Sequence, residues 1–333
     1  MFNKIFVEQE LRNNKNVLQI ISKLKKEIPV HYIEKYTDVF EKVKKPYLQK
    51  QNNLNLFLAS KKGELVKEAP PAYGFSKNKH YYFFHSLNCI FECEYCYLQG
   101  YFNSPDIVYF VNYEDVGTEI KQLDKNASKE SPVWFHMGEF SDSLSLSSLS
   151  NDIEYYFKLF STLENSFLEL RTKSINIKQI LAQNPVNNII TSFTLGPSSL
   201  KSVEKKIPSP TLRIKAMRKL IENGFKVGLH LDPVIYHDNF EKNYFELIQE
   251  LSESFELDNL KYISIGVVRF TKDSYRQLLQ NYPDSVCQSH EFTTSFDGKI
   301  RYPRPIRLKI LNYIKRSLVK HGAPEEIIYL CME

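Results

Sequence analysis

No apolar run in the 333 residues reaches the roughly 20 that a membrane-spanning helix needs. The start, MFNKIFVEQELRNNKN, turns polar too soon for a signal peptide, so the chain is expected in the cytoplasm. No internal repeat or low-complexity tract stands out. The net charge is only +5, too mild on this length to argue for a nucleic-acid partner, so any basic patch has to be found locally. Cysteine is sparse. There are five, an odd number, and Cys89, Cys93 and Cys96 fall within eight residues. Without a secretion signal, that clustering favours a metal site over disulfides.

What is present suits a large folded chain: 42% hydrophobic residues, 25% charged, and 21 Tyr with 23 Phe. Residues 1–75 read as a mainly helical segment with lysine-rich patterns such as NVLQIISKLKKEI. KEAPPAYGFSKNKH (67–80) reads as a linker, with two prolines and a glycine. Residues 76–333 form the second unit. In it short β-rich runs (80–87, 132–137, 166–174, 188–195, 225–233 and 260–268) alternate with amphipathic stretches such as YEDVGTEIKQLDK and PTLRIKAMRKLIENG. Six strand–helix units in series predict an α/β fold, a parallel sheet curled into a partial (β/α)6 barrel. Barrel chemistry gathers where strands end. There the sequence places the cysteine loop, Gly138-Glu139, Arg171-Thr172-Lys173-Ser174, Thr194, His230 with Asp232, and Arg269.

The loop Cys89-Ile-Phe-Glu-Cys93-Glu-Tyr-Cys96 has C-x3-C-x2-C spacing. Thiolates this close can wrap a small iron–sulfur cluster. Three of them on four irons leave one iron open to a small molecule with its own N and O donors. S-adenosylmethionine (SAM) is such a ligand. Two alternatives stand beside this one: a Cys3His zinc site completed by His85, and inert buried thiols. Tyr95, just before the last cysteine, offers a ring to an adenine.

With the aromatic before its third cysteine, the loop resembles the radical SAM superfamily signature. The string NCIFECEYCYLQGYFN is similar to the spore photoproduct lyase family, as are EFSDSL (139–144), LELRTKS (168–174), the Gly-Phe-Lys-Val-Gly-Leu-His-Leu-Asp-Pro run (224–233) and DGKIRYPRP (297–305). The resemblance spans roughly residues 80–310. It implies a radical SAM partial barrel with an N-terminal helical extension and a C-terminal hairpin and helix. It implies a [4Fe–4S] cluster on Cys89, Cys93 and Cys96, SAM as the second cofactor, and an electron donor such as flavodoxin or ferredoxin. It implies a 5′-deoxyadenosyl radical and, as substrate, DNA with a crosslinked thymine pair. Lys173 matches a lysine that meets the SAM carboxylate, and Thr194 a hydroxyl that contacts SAM. Tyr95 and Tyr97 match tyrosines that relay a hydrogen atom; ring packing is the plainer alternative.

One departure concerns the hydrogen returned to the product. In the family a cysteine three residues before an aspartate donates it; aligned on Ser141-Asp142, that position is Glu139. A carboxyl O–H is too strong a bond for this. Glu139 also follows Met137-Gly138, close to the Gly-Gly-Glu segment whose glutamate holds the SAM amino group in many radical SAM enzymes. Cys287 and Cys331 remain as substitute donors. Near the end, Asp297-Gly298 predicts a hairpin whose second arm carries Lys299, Arg301, Tyr302, Arg304 and Arg307. Interleaved basic and aromatic residues suit phosphates and a flipped base. A solvated edge hairpin carries similar residues. Two rival functions remain: a radical SAM enzyme on another substrate, and a zinc-stapled nucleic-acid-binding module.

Overall fold

The computed structural model describes residues 2–70 and 78–331. The six runs form six parallel strands side by side in chain order: His80–Phe83, Val133–Met137, Ser166–Thr172, Ile189–Thr194, Lys226–Val234 and Leu260–Val267. The register sets Leu168 opposite both Phe135 and Ile189. Parallel neighbours need a crossover, and helices supply it on the outer face. Helix Pro210–Glu222 shows why the sequence stops and starts where it does. The Ser209 side chain accepts the Leu212 N–H at 3.3 Å, proline opens the first turn, and Gly224 beyond the C-terminus sits at φ +81°.

Strand residues divide by parity. Leu168, Leu170, Leu229, Leu231, Ile263 and Ile265 pack into the main core with the helices. Glu169, His230 and Tyr262 take the opposite face. The Tyr262 hydroxyl, on the sixth strand, donates to Glu169 on the third. Only a curled sheet lets strands so far apart in the order meet across its interior. Two further strands extend the sheet. Val66–Glu68 lies antiparallel beside the first strand, and Ile328–Leu330 lies parallel beside the sixth. Each has three residues, too few for a periodic signal in the sequence.

The N-terminal segment departs from expectation. Among its described residues it contains one α-helix, Lys15–Lys23, but it is organised by a sheet. Strands Val30–Ile33, Phe2–Glu8 and Leu54–Ala59 lie parallel and continue into Ile107–Phe110, which pairs antiparallel with Ser86–Leu87. The reason is alternation within LNLFLA: Leu54, Leu56 and Leu58 face the helix with Val17 and Ile20, while Phe57 and Ala59 face an aromatic cluster with Phe40, Phe110 and Phe140. The boundary expected at 75/76 and the centre of the expected linker lie outside the described residues. Among the described residues no helix is long and apolar enough to cross a membrane.

Candidate active site

The cysteine loop leaves the first barrel strand and is held from several sides. Asn88, buried and at φ +63°, donates from its side chain to the carbonyls of Ser104 (2.7 Å) and Asp106 (2.8 Å), closing the loop's base. Glu92–Cys93 pairs antiparallel with Glu204–Lys205, and the Glu94 N–H donates to Val203 O at 2.9 Å. Cys93 is buried; Cys89 and Cys96 are half-buried beside the aromatic cluster. Burial pushes the Cys89 and Cys93 thiols up, Cys93 to about 12. Ligation deprotonates a thiol, so loading this loop releases protons.

Among the described residues, no three Cys, His, Asp or Glu side chains converge as the ligands of one ion would. His85, the zinc ligand in the rival reading, is hydrogen-bonded to the Asp142 backbone, and burial lowers its pKa to about 4. Three soft thiols on one ordered loop fit a thiolate-ligated iron–sulfur cluster.

Lys173, Glu139 and Thr194, of the rim residues named from sequence, connect to this loop. The Lys173 ammonium, at the end of the third strand, stands 5.4 Å from the centre of the Tyr95 ring. Burial lowers its pKa, but Cys93, Glu204 and Cys96 outweigh that and raise it, so it stays a cation. Tyr95 donates its hydroxyl to Glu204; Arg213 bonds Glu204 at 2.9 Å and the Thr194 carbonyl at 2.6 Å. Tyr95, half-buried, and the buried Glu204, Arg213 and Thr194 thus form one chain from the cysteine loop to the fourth strand. Tyr97 is 37% exposed and donates its hydroxyl to the Glu139 carbonyl, tying the loop to the end of the second strand. Gly138, at φ +104°, makes that turn; a Cβ there would sit 2.7 Å from the Ser143 hydroxyl. Asp142 fixes the third strand's end, accepting from Lys173 N–H (2.6 Å), Thr172 hydroxyl (2.7 Å) and Ser145 N–H (2.8 Å).

Beneath lies a cluster of which sequence reasoning named Arg171, His230, Asp232 and Arg269 at the rim but missed Glu169, His80, His136, Ser192 and Tyr262. Inside the barrel, Glu169 accepts from His136, Ser192 (2.7 Å), Tyr262 and Arg171 (3.2 Å) and bonds His230 at 2.7 Å; His80 follows behind His136 at 2.9 Å. Burial alone would raise the Glu169 pKa, but Arg171 and the hydrogen-bonded histidines hold it well below the usual carboxylate range. Above this hub, Arg269 pairs with Asp232 at 3.4 Å. Period-2 alternation of polar residues in Leu168–Thr172 was the available signal.

The hairpin corrects the sequence reading in part. Arg269–Phe270, Ile300–Arg301 and Thr293–Thr294 form a small antiparallel sheet with its turn at Asp297-Gly298. Arg301 and Tyr302, expected on the surface, are buried. Arg301 bonds Ser295 (2.9 Å) and Asp297 (3.2 Å), and the Tyr302 hydroxyl donates to Tyr236 O at 3.3 Å. The turn closes through backbone bonds from the Gly298 N–H to Ser295 O (2.9 Å) and from the Ser295 N–H to Lys299 O (2.8 Å), and the Arg301 side chain braces it. Lys299 is half-buried and Arg304 exposed. At the tip Phe296 stands fully exposed, at 101% of its reference area. Of the substitute donors, Cys287 is fully buried in the core, while Cys331 follows the last strand beside Arg269 and Asp232.

A curled parallel sheet with three thiols on the loop after its first strand defines a radical SAM protein. The family model for spore photoproduct lyase matches residues 48–302, and the chain belongs to that family, whose cofactors are a [4Fe–4S] cluster and SAM. The spore photoproduct lyase of Geobacillus sp. (strain Y412MC61) is 29% identical over 205 residues, 60% of this chain and 59% of that protein. That of Bacillus subtilis (strain 168) is 25% identical over 212 residues, 62% and 61% of the two chains. The chain thus aligns with only about 60% of the length of these relatives. A solved structure of spore photoproduct lyase complexed with dinucleoside spore photoproduct shares the fold, with TM-score 0.85, 19% identity, and coverage of 99% of this chain and 98% of that one. A mutant with bound AdoMet and dinucleoside spore photoproduct gives a TM-score of 0.82.

Proposed function

We propose that the chain is a radical SAM lyase acting on a crosslinked thymine pair in damaged DNA. The observation that carries this reading is the convergence at one barrel mouth. Lys173 meets the cysteine loop at Tyr95, and Tyr97 meets the second strand at Glu139. When bound, the cluster and SAM supply reductive C–S cleavage and a 5′-deoxyadenosyl radical. The chain does the rest. The Lys173 ammonium takes the SAM carboxylate and Glu139 the SAM amino group, both charge-assisted contacts. Thr194 adds a hydroxyl, Tyr97 relays hydrogen, and the closed site keeps water from the radical. Phe296 offers a ring to a base, with Lys299 and Arg304 near the phosphates. A low-potential partner such as flavodoxin or ferredoxin supplies electrons.

Glu139 cannot return the hydrogen, so cleavage is expected to be weak and to leak to side products. The test uses anaerobically reconstituted protein with saturating SAM, reductant and crosslinked dinucleotide, read as product distribution for wild type and Glu139→Cys. The expected result is cleaner repair by the variant. The same Glu139 favours a second reading, a radical SAM enzyme with another substrate. No turnover by either protein, with SAM cleavage intact, would establish it.

A further inference from the structure

Lys50 is a lysine almost out of water, 2% exposed, on the turn Tyr47–Gln51 of the N-terminal segment. Its ammonium donates to the Tyr47 hydroxyl at 3.2 Å and stands 4.9 Å from the centre of that ring. Among the described residues it forms no ion pair. A buried ammonium with only a phenol beside it is costly unless an anion stands near. The anion has to come from what lies beside it, and that is the cysteine loop. Lys50 lines a depression of about 370 Å³ with Ile90 and Phe91, the two residues between Cys89 and Glu92. Its carbonyl accepts from Lys206 at 3.2 Å, and Lys206 is paired with Glu92, which precedes Cys93.

We infer that Lys50 is the resident counter-cation of the iron–sulfur cluster, placed to make its reduction easier. Three thiolates give the loaded loop a net negative charge. One electron from a low-potential donor adds a further unit without moving a proton, and net charge around a cluster is one of the protein's levers on its potential. A low local dielectric strengthens the effect of a nearby cation. Tyr47 suits the task. Burial, then the nearness of Cys96, Cys93 and Cys89, pushes its pKa well up, so it stays a neutral phenol and accepts from Lys50 without quenching its charge. Lys50 likewise opposes the upward push that burial gives Cys89 and Cys93. Lys173 comes to the loop from the barrel and serves SAM; Lys50 comes from the other segment and serves the cluster.

The inference rests on the family's cofactor and not on the DNA reading, so the experiment omits SAM and DNA. Wild type, Lys50→Met, Lys50→Gln and Lys50→Arg are reconstituted, assayed for iron and sulfide, and titrated electrochemically with the reduced cluster followed by electron paramagnetic resonance. Both neutral variants are expected to shift the midpoint to more negative potential, with Lys50→Arg near wild type. A folded neutral variant that loses its cluster, while Lys50→Arg keeps it, also supports the role. An unchanged midpoint in a fully loaded neutral variant would overturn it, as would cluster loss in Lys50→Arg.

Discussion

The cysteine loop and the C-terminal hairpin both flank the barrel mouth, and they are built in opposite senses. Along the loop, charged and polar side chains turn inward: Asn88 closes its base, Glu92–Cys93 pairs with Glu204–Lys205, and Tyr95 is tied through Glu204 to Arg213. In the hairpin, Arg301 holds Ser295 and Asp297, Tyr302 bonds Tyr236, and Phe296 between the two held residues is presented to solvent. A cofactor site has to be fixed before its ligand arrives, whereas a surface that meets a large polymer can leave its contact side chain free.

The sharpest way to break that contrast is at Arg213. Arg213→Met leaves Glu204 buried without its cation, so a loss of about 3–5 kcal/mol is expected, with less iron held per chain. Urea unfolding and iron content check it; unchanged values would mean that the loop is not held through this pair.

Acid tests the same inward packing. Burial lowers the pKa of His80 and of His85 from 6.5 to about 4. Below pH 6.5 the unfolded chain takes up these protons before the folded one. Stability is therefore lost as pH falls from 6.5 to 4 and does not fall further below that from these rings. At about 1.36 kcal/mol per pKa unit, the two together amount to several kcal/mol. Melting temperature against pH reads it, and a flat profile across that window would contradict it. The hairpin tip contains no such group.

At the hairpin the expected effects separate. Phe296→Ala should weaken DNA binding by about 1–3 kcal/mol, the worth of one stacked base, without moving the melting temperature. Arg301→Ala should do the reverse, lowering stability and leaving the salt dependence of binding as it was. Fluorescence anisotropy and thermal melts distinguish the two. The smallest effect belongs to Arg304, which is exposed at the start of helix Arg304–Lys320. Removing one phosphate contact there lowers the salt-dependence slope by about 0.9.

The barrel was legible because its β-rich runs alternate with amphipathic stretches such as Tyr113–Lys125 and Pro210–Glu222, and the two periods announce each other. The three thiols were legible because their spacing is rarely anything else. The N-terminal sheet was not. Its strands are interleaved with lysine-rich stretches whose helical period dominates the window, and pairing to Ile107–Phe110 lies far along the chain. The sense of Arg301 and Tyr302 was lost for a different reason. Residue type tells what a side chain can bond, and only the fold decides whether its partner is a phosphate or Ser295 and Tyr236. The Glu169 hub was hidden because no single run contains it. It is assembled from six strands, each contributing one or two polar residues to the interior.

The path of residues 86–110 has a mechanical side. Ser86–Leu87 and Ile107–Phe110 belong to the N-terminal sheet, yet they bracket the cysteine loop and lie between the first and second barrel strands. The loop is therefore hung at both ends from one sheet, like a hammock, and braced along its length by Glu204 and Glu139 on the barrel side. Any tilt of one sheet against the other would be felt first as a change in the spacing of the three sulfurs. The two sheets cannot melt apart without slackening the loop, so iron loss and unfolding should run together as a single event.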